Sequence, residues 1–156
     1  MVIKSYAKIN LFLLVNGLRK GGYHSIKTIF ERIDLHDKII IKPRRDKKIK
    51  LTSSSRDIPL DSSNLVFRSA RLLQEKFRIN KGLDIRIIKR IPVGAGLGGG
   101  SSNAASVLMG LNKLWKLELT PDILAGFAKK IGSDVAFFVY NCRFAQASGR
   151  GDKIKP

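Results

Sequence analysis

Between Pro92 and Ala105 the chain reads PVGAGLGGGSSNAA, with glycine at Gly94, Gly96, Gly98, Gly99 and Gly100. Each glycine costs about 0.5–1 kcal/mol relative to alanine in regular structure, so this density implies a need for bare backbone. The preceding GLDIRIIKRI alternates Leu83, Ile85 and Ile87 against Asp84, Arg86 and Ile88, the period of a strand, and good helix formers follow the glycines. Strand, glycine loop and helix together present successive amides and a helix N-terminus to an anion. That helix end acts as roughly half a positive charge. Pro92, Ala95 and Leu97 complete the loop, while Ser101, Ser102 and Asn103 would add side-chain donors.

Two nucleotide motifs fit poorly. A Walker-type loop requires lysine and then serine or threonine after the last glycine, and here Ser101-Ser102 follow Gly100 directly. Gly94-x-Gly96-x-x-Gly99 satisfies the dinucleotide pattern, which also needs a second strand ending in an acid. Glu118 falls at about the right distance, but in KLELTP, where there is no room for that strand. A glycine-rich turn that only lets a helix pack close to a sheet is the other reading of the pattern itself.

The elements that must hold such a loop are readable in outline. SYAKINLFLLVNG and TIFERIDLHDKIIIK read as strands around a turn at Gly21-Gly22, and KIKLTS as another strand. Ser53 to Ser63 reads as a loop, with Asp61, Ser62 or Ser63 as candidate caps of a helix that aligns Leu65, Ala70, Leu73 and Phe77. SSNAASVLMGLNKLW aligns Ala104, Leu108, Leu111 and Trp115 on a helix, and TPDILAGFAKKIG starts with Thr120 as N-cap and Pro121 in its first turn. DVAFFVYN and RFAQAS read as a closing pair of strands. The expectation is an α+β two-layer sandwich.

Composition narrows the class further. At 156 residues, with 44% hydrophobic and 27% charged residues, the chain suits one globular domain. The single cysteine, Cys142, offers neither a disulfide framework nor a metal cluster and points to a reducing, cytoplasmic setting. Ile9 to Val15 imitates a short signal peptide, but Asn10 interrupts the run and no cleavage site follows, so a strand is the better reading. The net charge of +18 suits nucleic acid, an anionic membrane or phosphate-rich ligands. Its densest stretch, Lys38 to Lys50, reads as solvated strand faces around a turn at Pro43-Arg44-Arg45.

PVGAGLGGGSSNAA resembles the phosphate-binding motif of the GHMP kinases, which transfer the γ-phosphate of ATP to small-molecule hydroxyls. AKINLFLLVNGLRKGGYHSIKTIF resembles the N-terminal signature of the branch acting on a cytidine-diphosphate-linked polyol in non-mevalonate isoprenoid synthesis, and GSDVAFFV resembles its third motif. Three matches in the right order make the signal specific. The fold so implied is related to a domain of a ribosomal protein. The resemblance runs from about Ser5 to Pro156 but covers only the first half of such a kinase. A second α+β domain would therefore be absent from this chain, which leaves its activity alone open and a face available for self-association. Ala136 departs from the proline usual in that motif.

The resemblance implies roles. Asp134 would be general base and Lys8 its partner. Pro92, Gly94, Ala95, Gly96, Leu97, Gly98, Gly99, Gly100, Ser101 and Ser102 would hold ATP, with Asn64 near the adenine or simply capping a helix. Tyr23 would stack on cytosine, His24 would address the base edge, and Asn10 and Phe30 would line the acceptor pocket. Mg²⁺ would arrive with ATP, held largely by phosphate oxygens, with Ser101 or Ser102 able to contribute a ligand and no dedicated protein metal site. The alternatives are a kinase for another small alcohol and a basic RNA-binding module. The second is disfavoured because the chain has neither an RNP-type aromatic pattern nor a GXXG clamp. A membrane partner is not expected.

Overall fold

The aromatic and β-branched N-terminal runs form β1 (Val2–Leu18) and β2 (His24–Arg44), paired antiparallel. They are followed by β3 (Ile49–Ser53), α1 (Leu65–Lys76), β4 (Gly82–Ile88), α2 (Gly99–Leu114), α3 (Pro121–Ile131), α4 (Val135–Tyr140), β5 (Phe144–Gly149) and β6 (Lys153–Lys155). The structure is a computed structural model that describes residues 1–18, 24–149 and 153–156. The sheet runs β3-β4-β2-β5-β6, with β1 on the other flank of β2. The β3–β4 pair is parallel and every other pairing is antiparallel.

Strand β2 shares one flank between two partners. Ile26 to Glu31 pair with β5, and Lys38 to Arg44 pair with β4, so residues 32–37 face no strand there. On the opposite flank Tyr6 pairs with His36 but Ala7 with Ile33, which leaves Asp34 and Leu35 as extra residues of a bulge. Bulges of this kind bend a strand and re-aim its side chains. The gap they open lies beside the point where β4 ends at Ile88 and the chain peels away towards the glycines.

The helices pack on one face, with Ile39, Ile41, Ile85 and Ile87 of the sheet against Ala104, Leu108 and Leu111 of α2. The expected two-layer α+β sandwich is present. Lys4, Lys42, Lys50 and Arg86 stand exposed, in register, on the opposite face. Arg44 pairs with Asp46 and Asp84, and its hydrogen-bonded guanidinium holds the Asp46 carboxyl down to about 2. The basic stretch is thus solvated surface, as its pattern suggested.

Two boundaries differ from the sequence reading. DVAFFVYN is the short helix α4 rather than a strand, because Val135, Ala136, Phe137, Phe138 and Val139 are all buried and a continuous apolar run carries no period. Asn141 then ends that helix in the left-handed region at φ 53°. Helix α2 begins at Gly99, so two of the glycines form its first turn. Phe137 packs its ring 5.0 Å from that of Phe30, tying α4 to β2. Phe137→Ala is expected to lower the unfolding free energy by about 3–5 kcal/mol in urea titration; a loss below about 1 kcal/mol would deny it a place in the core.

Candidate active site

Gly94, Gly96 and Gly98 adopt φ values of 77°, 73° and 68°, the left-handed region that side chains avoid. Gly98 is the N-cap of α2 and has no side chain to satisfy the helix amides. Among the described residues, the amides from Gly96 to Ser101 donate to no protein acceptor, and the first helical bond runs from Ser102 N to Gly98 O at 2.8 Å. The backbone thus presents a row of unsatisfied donors at a helix N-terminus, where an anion is favoured. A pocket of about 130 Å³ lies against them, lined by Pro92 to Gly100 together with Asn64, Lys89 and Asn103.

A backbone bond joins this loop to β1, from Lys8 N to Leu97 O at 3.0 Å. It brings the Lys8 side chain beside the loop. The ammonium lies 3.6 Å from Asp134 Oδ2, with the two side chains 7% and 29% exposed. It donates to Asn10 Oδ1 at 2.5 Å and stands 4.8 Å from the centre of the Phe30 ring. Asn10 donates in turn to Thr28 Oγ1 at 2.9 Å, and Thr28 donates to Phe12 O at 2.5 Å. Asp134 stands at the head of α4 without capping it, so its carboxylate is turned to Lys8 and to a longer contact from Ser133 Oγ at 3.4 Å. A partly exposed carboxylate held by a nearly buried ammonium is equipped to accept a proton from a hydroxyl brought to it. Burial pushes the Cys142 thiol up, so it is no ready nucleophile.

Pro92, Gly94, Ala95, Gly96, Leu97, Gly98, Gly99, Gly100 and Asn64 line one pocket. Asn64 is an N-cap as well: its Oδ1 accepts from Val66 N at 2.8 Å and its Nδ2 donates to Pro59 O at 2.6 Å. Both side-chain groups thus have a protein partner, while Nδ2 keeps a second proton, so Asn64 caps the helix and lines the pocket at once. Ser102 departs from its expected role, being buried with its hydroxyl 2.8 Å from Ser5 Oγ; Ser101, half-buried, keeps the outer position. Phe30, at 1% exposure, supports Lys8 from beneath instead of lining an acceptor surface. Tyr23 lies outside the described residues, and His24 is described only by its backbone, as the first residue of β2. Ala136 sits in the first turn of α4, where proline is tolerated because the amide has no helical partner, so the exchange leaves the helix intact.

Sequence reasoning missed the carboxylate of Asp37. It is wholly buried and accepts from Arg90 N at 2.7 Å, Ile91 N at 2.9 Å, Lys89 Nζ at 2.6 Å and Asn103 Nδ2 at 2.9 Å. A lone acid in the apolar strand LHDKIII was the only signal. Among the described residues no three His, Cys, Asp or Glu side chains converge on a metal site. Among the described residues no helix is long and apolar enough to cross a membrane.

Among the three left-handed glycines of the loop the need is greatest at Gly98, where a Cβ would lie 3.0 Å from both Lys8 Cγ and the Phe138 ring, whereas at Gly94 it would meet nothing within 4 Å. Gly98→Ala is expected to cost about 1–3 kcal/mol of stability in denaturant titration and Gly94→Ala less, the backbone strain being shared but the clash not. Equal losses would show that packing at Gly98 is slack.

Comparisons with known proteins bear on the family and the fold. The GHMP kinases N terminal domain family model matches residues 64–142. Over 155 residues, 99% of this chain and 53% of the relative, the sequence is 50% identical to 4-diphosphocytidyl-2-C-methyl-D-erythritol kinase of Bacillus cereus (strain B4264). It is also 50% identical to the kinase of that name from Geobacillus sp. (strain WCH70), covering 100% of this chain and 54% of the relative. A crystal structure of 4-(cytidine 5'-diphospho)-2C-methyl-D-erythritol kinase superposes with a TM-score of 0.86 at 38% identity, over 100% of this chain and 55% of that one. The Methanococcus jannaschii mevalonate kinase shares the fold, with a TM-score of 0.75 at 19% identity over 99% of this chain and 55% of its own. The chain spans about half the length of the curated relatives it matches.

Proposed function

Because the chain belongs to the GHMP kinases through their N-terminal domain, we propose that it is the ATP-binding part of a kinase for 4-diphosphocytidyl-2-C-methyl-D-erythritol. Residues 1–156 form that domain in this reading, acting in the cytoplasm, where ATP is supplied. The observation that carries the reading is the Lys8 N to Leu97 O bond, which sets a proton-accepting carboxylate beside a row of unpartnered amides. Amides suit a triphosphate, and a carboxylate suits the hydroxyl that attacks it.

The amides of Gly96 to Ser101 and the N-terminus of α2 bind the triphosphate of ATP and offset the charge it carries. Asn64 and Pro92 wall the pocket on the nucleoside side. Lys8 holds Asp134 in place and, through Asn10 and Thr28, connects it to the surface of β1 and β2. As the acceptor oxygen attacks the γ-phosphorus and the bond to the ADP oxygen breaks, Asp134 takes the hydroxyl proton. Tyr23 stacks on the cytosine, and His24 and Asn10 address the substrate, with Phe30 behind Lys8. The residues present suit Mg²⁺ as a companion of the nucleotide: among the described residues no three His, Cys, Asp or Glu side chains converge, and the half-buried Ser101 is a candidate ligand. When bound, Mg²⁺ neutralises phosphate charge.

Leu11, Phe12, Leu13, Leu14 and Val15 of β1 are each about half exposed, which supports self-association of this chain through that strand. Sedimentation that stays monomeric across a wide concentration range would remove that part of the reading.

Asp134→Asn is expected to leave the fold intact and lower turnover about 10²–10⁴-fold, read as ADP released with the cytidine substrate; near-normal turnover would refute the base assignment. Tyr23→Ala is expected to weaken binding of the cytidine substrate far more than of ATP, measured by calorimetry. Equal losses for the two ligands would remove the stacking role.

A further inference from the structure

We infer that Asp37 is a positioning residue for phosphoryl transfer, its buried carboxylate setting the mouth of the glycine loop and the first turns of α2 in the geometry that receives the triphosphate. The inference rests on the kinase reading and deepens it. Each of the four donors to Asp37 flanks the loop: Lys89, Arg90 and Ile91 lead directly into Pro92, and Asn103 lies one turn into α2. None belongs to the distant core.

The need for such an anchor follows from the sheet. Residues 32–37 face no strand on this flank, so the Arg90 and Ile91 amides leave β4 without a ladder to join. The Asp37 Oδ1 accepts both, and Oδ2 accepts the Lys89 ammonium and the Asn103 amide. Charge-assisted bonds of this kind are about twice as strong as neutral ones. The held ammonium lies so close to the loop that a Cβ at Gly99 would stand 3.1 Å from it. Asn103 also donates to Ser5 Oγ at 2.9 Å, and Ser5 Oγ lies 2.8 Å from Ser102 Oγ. Ser5 is on β1, three residues before Lys8, whose amide holds Leu97 O. The loop is therefore fixed at its start by a carboxylate and at its middle by β1, and Asp37 touches both segments that flank the loop amides.

Asp37→Asn tests this on the chain as it stands. The amide oxygen still accepts from Arg90 and Ile91, but its nitrogen faces two donors, Lys89 and Asn103. With ATP as the probe in calorimetry, well below the melting midpoint, D37N is expected to weaken affinity about tenfold or more. The backbone amide resonances of Gly96 to Ser101 should move while those of α3 stay. The double variant D37N/N103D reverses donor and acceptor across the pair and restores a carboxylate to the buried cluster, so ATP affinity should recover to within about threefold of the parent. A folded D37N with parental ATP affinity overturns the inference, as does a resonance change spread evenly over the domain. Should D37N not fold, the double variant decides: folded with recovered affinity it supports the inference, and folded with the loss retained it overturns it. An unaltered chain that binds no ATP fails the kinase reading itself, a different result from a parent that binds and a D37N that binds equally well.

Discussion

The bond from the Lys8 amide to the Leu97 carbonyl is where two unrelated parts of the molecule become one site. It uses the backbone of a strand to hold the backbone of a loop, so neither side chain is consumed. Lys8 is left to meet Asp134, and the amides on either side of Leu97 are left without a protein acceptor. The same closeness explains Gly98, where the stem of Lys8 and the Phe138 ring occupy the space a side chain would need. Moving the loop off β1 would take the unpartnered amides away from the carboxylate, and the site would cease to be one place.

Charge is distributed in a way that the total of +18 conceals. Part of it stands on the open face of the sheet, at Lys4, Lys42, Lys50 and Arg86, where water screens it. At the glycine loop the attraction comes instead from oriented amides and from two buried lysines, each matched to a carboxylate: Lys8 to Asp134 and Lys89 to Asp37. A buried ammonium without such a match would be costly, and removal of either carboxylate leaves one. Net charge thus says little about this site, whereas the local pairing says a good deal.

The sequence disclosed those features whose physics is local. Glycine density marked the loop because left-handed backbone and close approach have a direct compositional price. Helices α1, α2 and α3 declared themselves through period, and α3 through its Thr120 cap as well; the cap of α1 is Asn64, which had been weighed as one, and not Asp61, Ser62 or Ser63. Helix α4 did not, since five consecutive buried residues fit strand and helix alike and only packing against Phe30 separates them. Asp37 was hidden for a different reason: its partners lie 52 to 66 positions away, and nothing in a local window distinguishes it from a solvated strand acid. Lys8 and Asp134 were reached only through resemblance, because an ion pair between the first strand and the last helix leaves no pattern in spacing.

In the kinase reading the two ligands are recognised by different chemistry, and this follows from how the site is built. The loop reads phosphate with main-chain amides, so the side chains of Ala95 and Leu97 contribute shape alone and any triphosphate meets the same donors. Discrimination among acceptors must then come from side chains on the other side of Lys8, on the surface that Asn10 and Thr28 share. Those two are linked by hydrogen bonds to the ammonium and to Phe12 O, so their orientation is set before a substrate arrives. A change of acceptor within this fold therefore calls for substitutions along β1 and the start of β2, while the glycine loop can stay as it is.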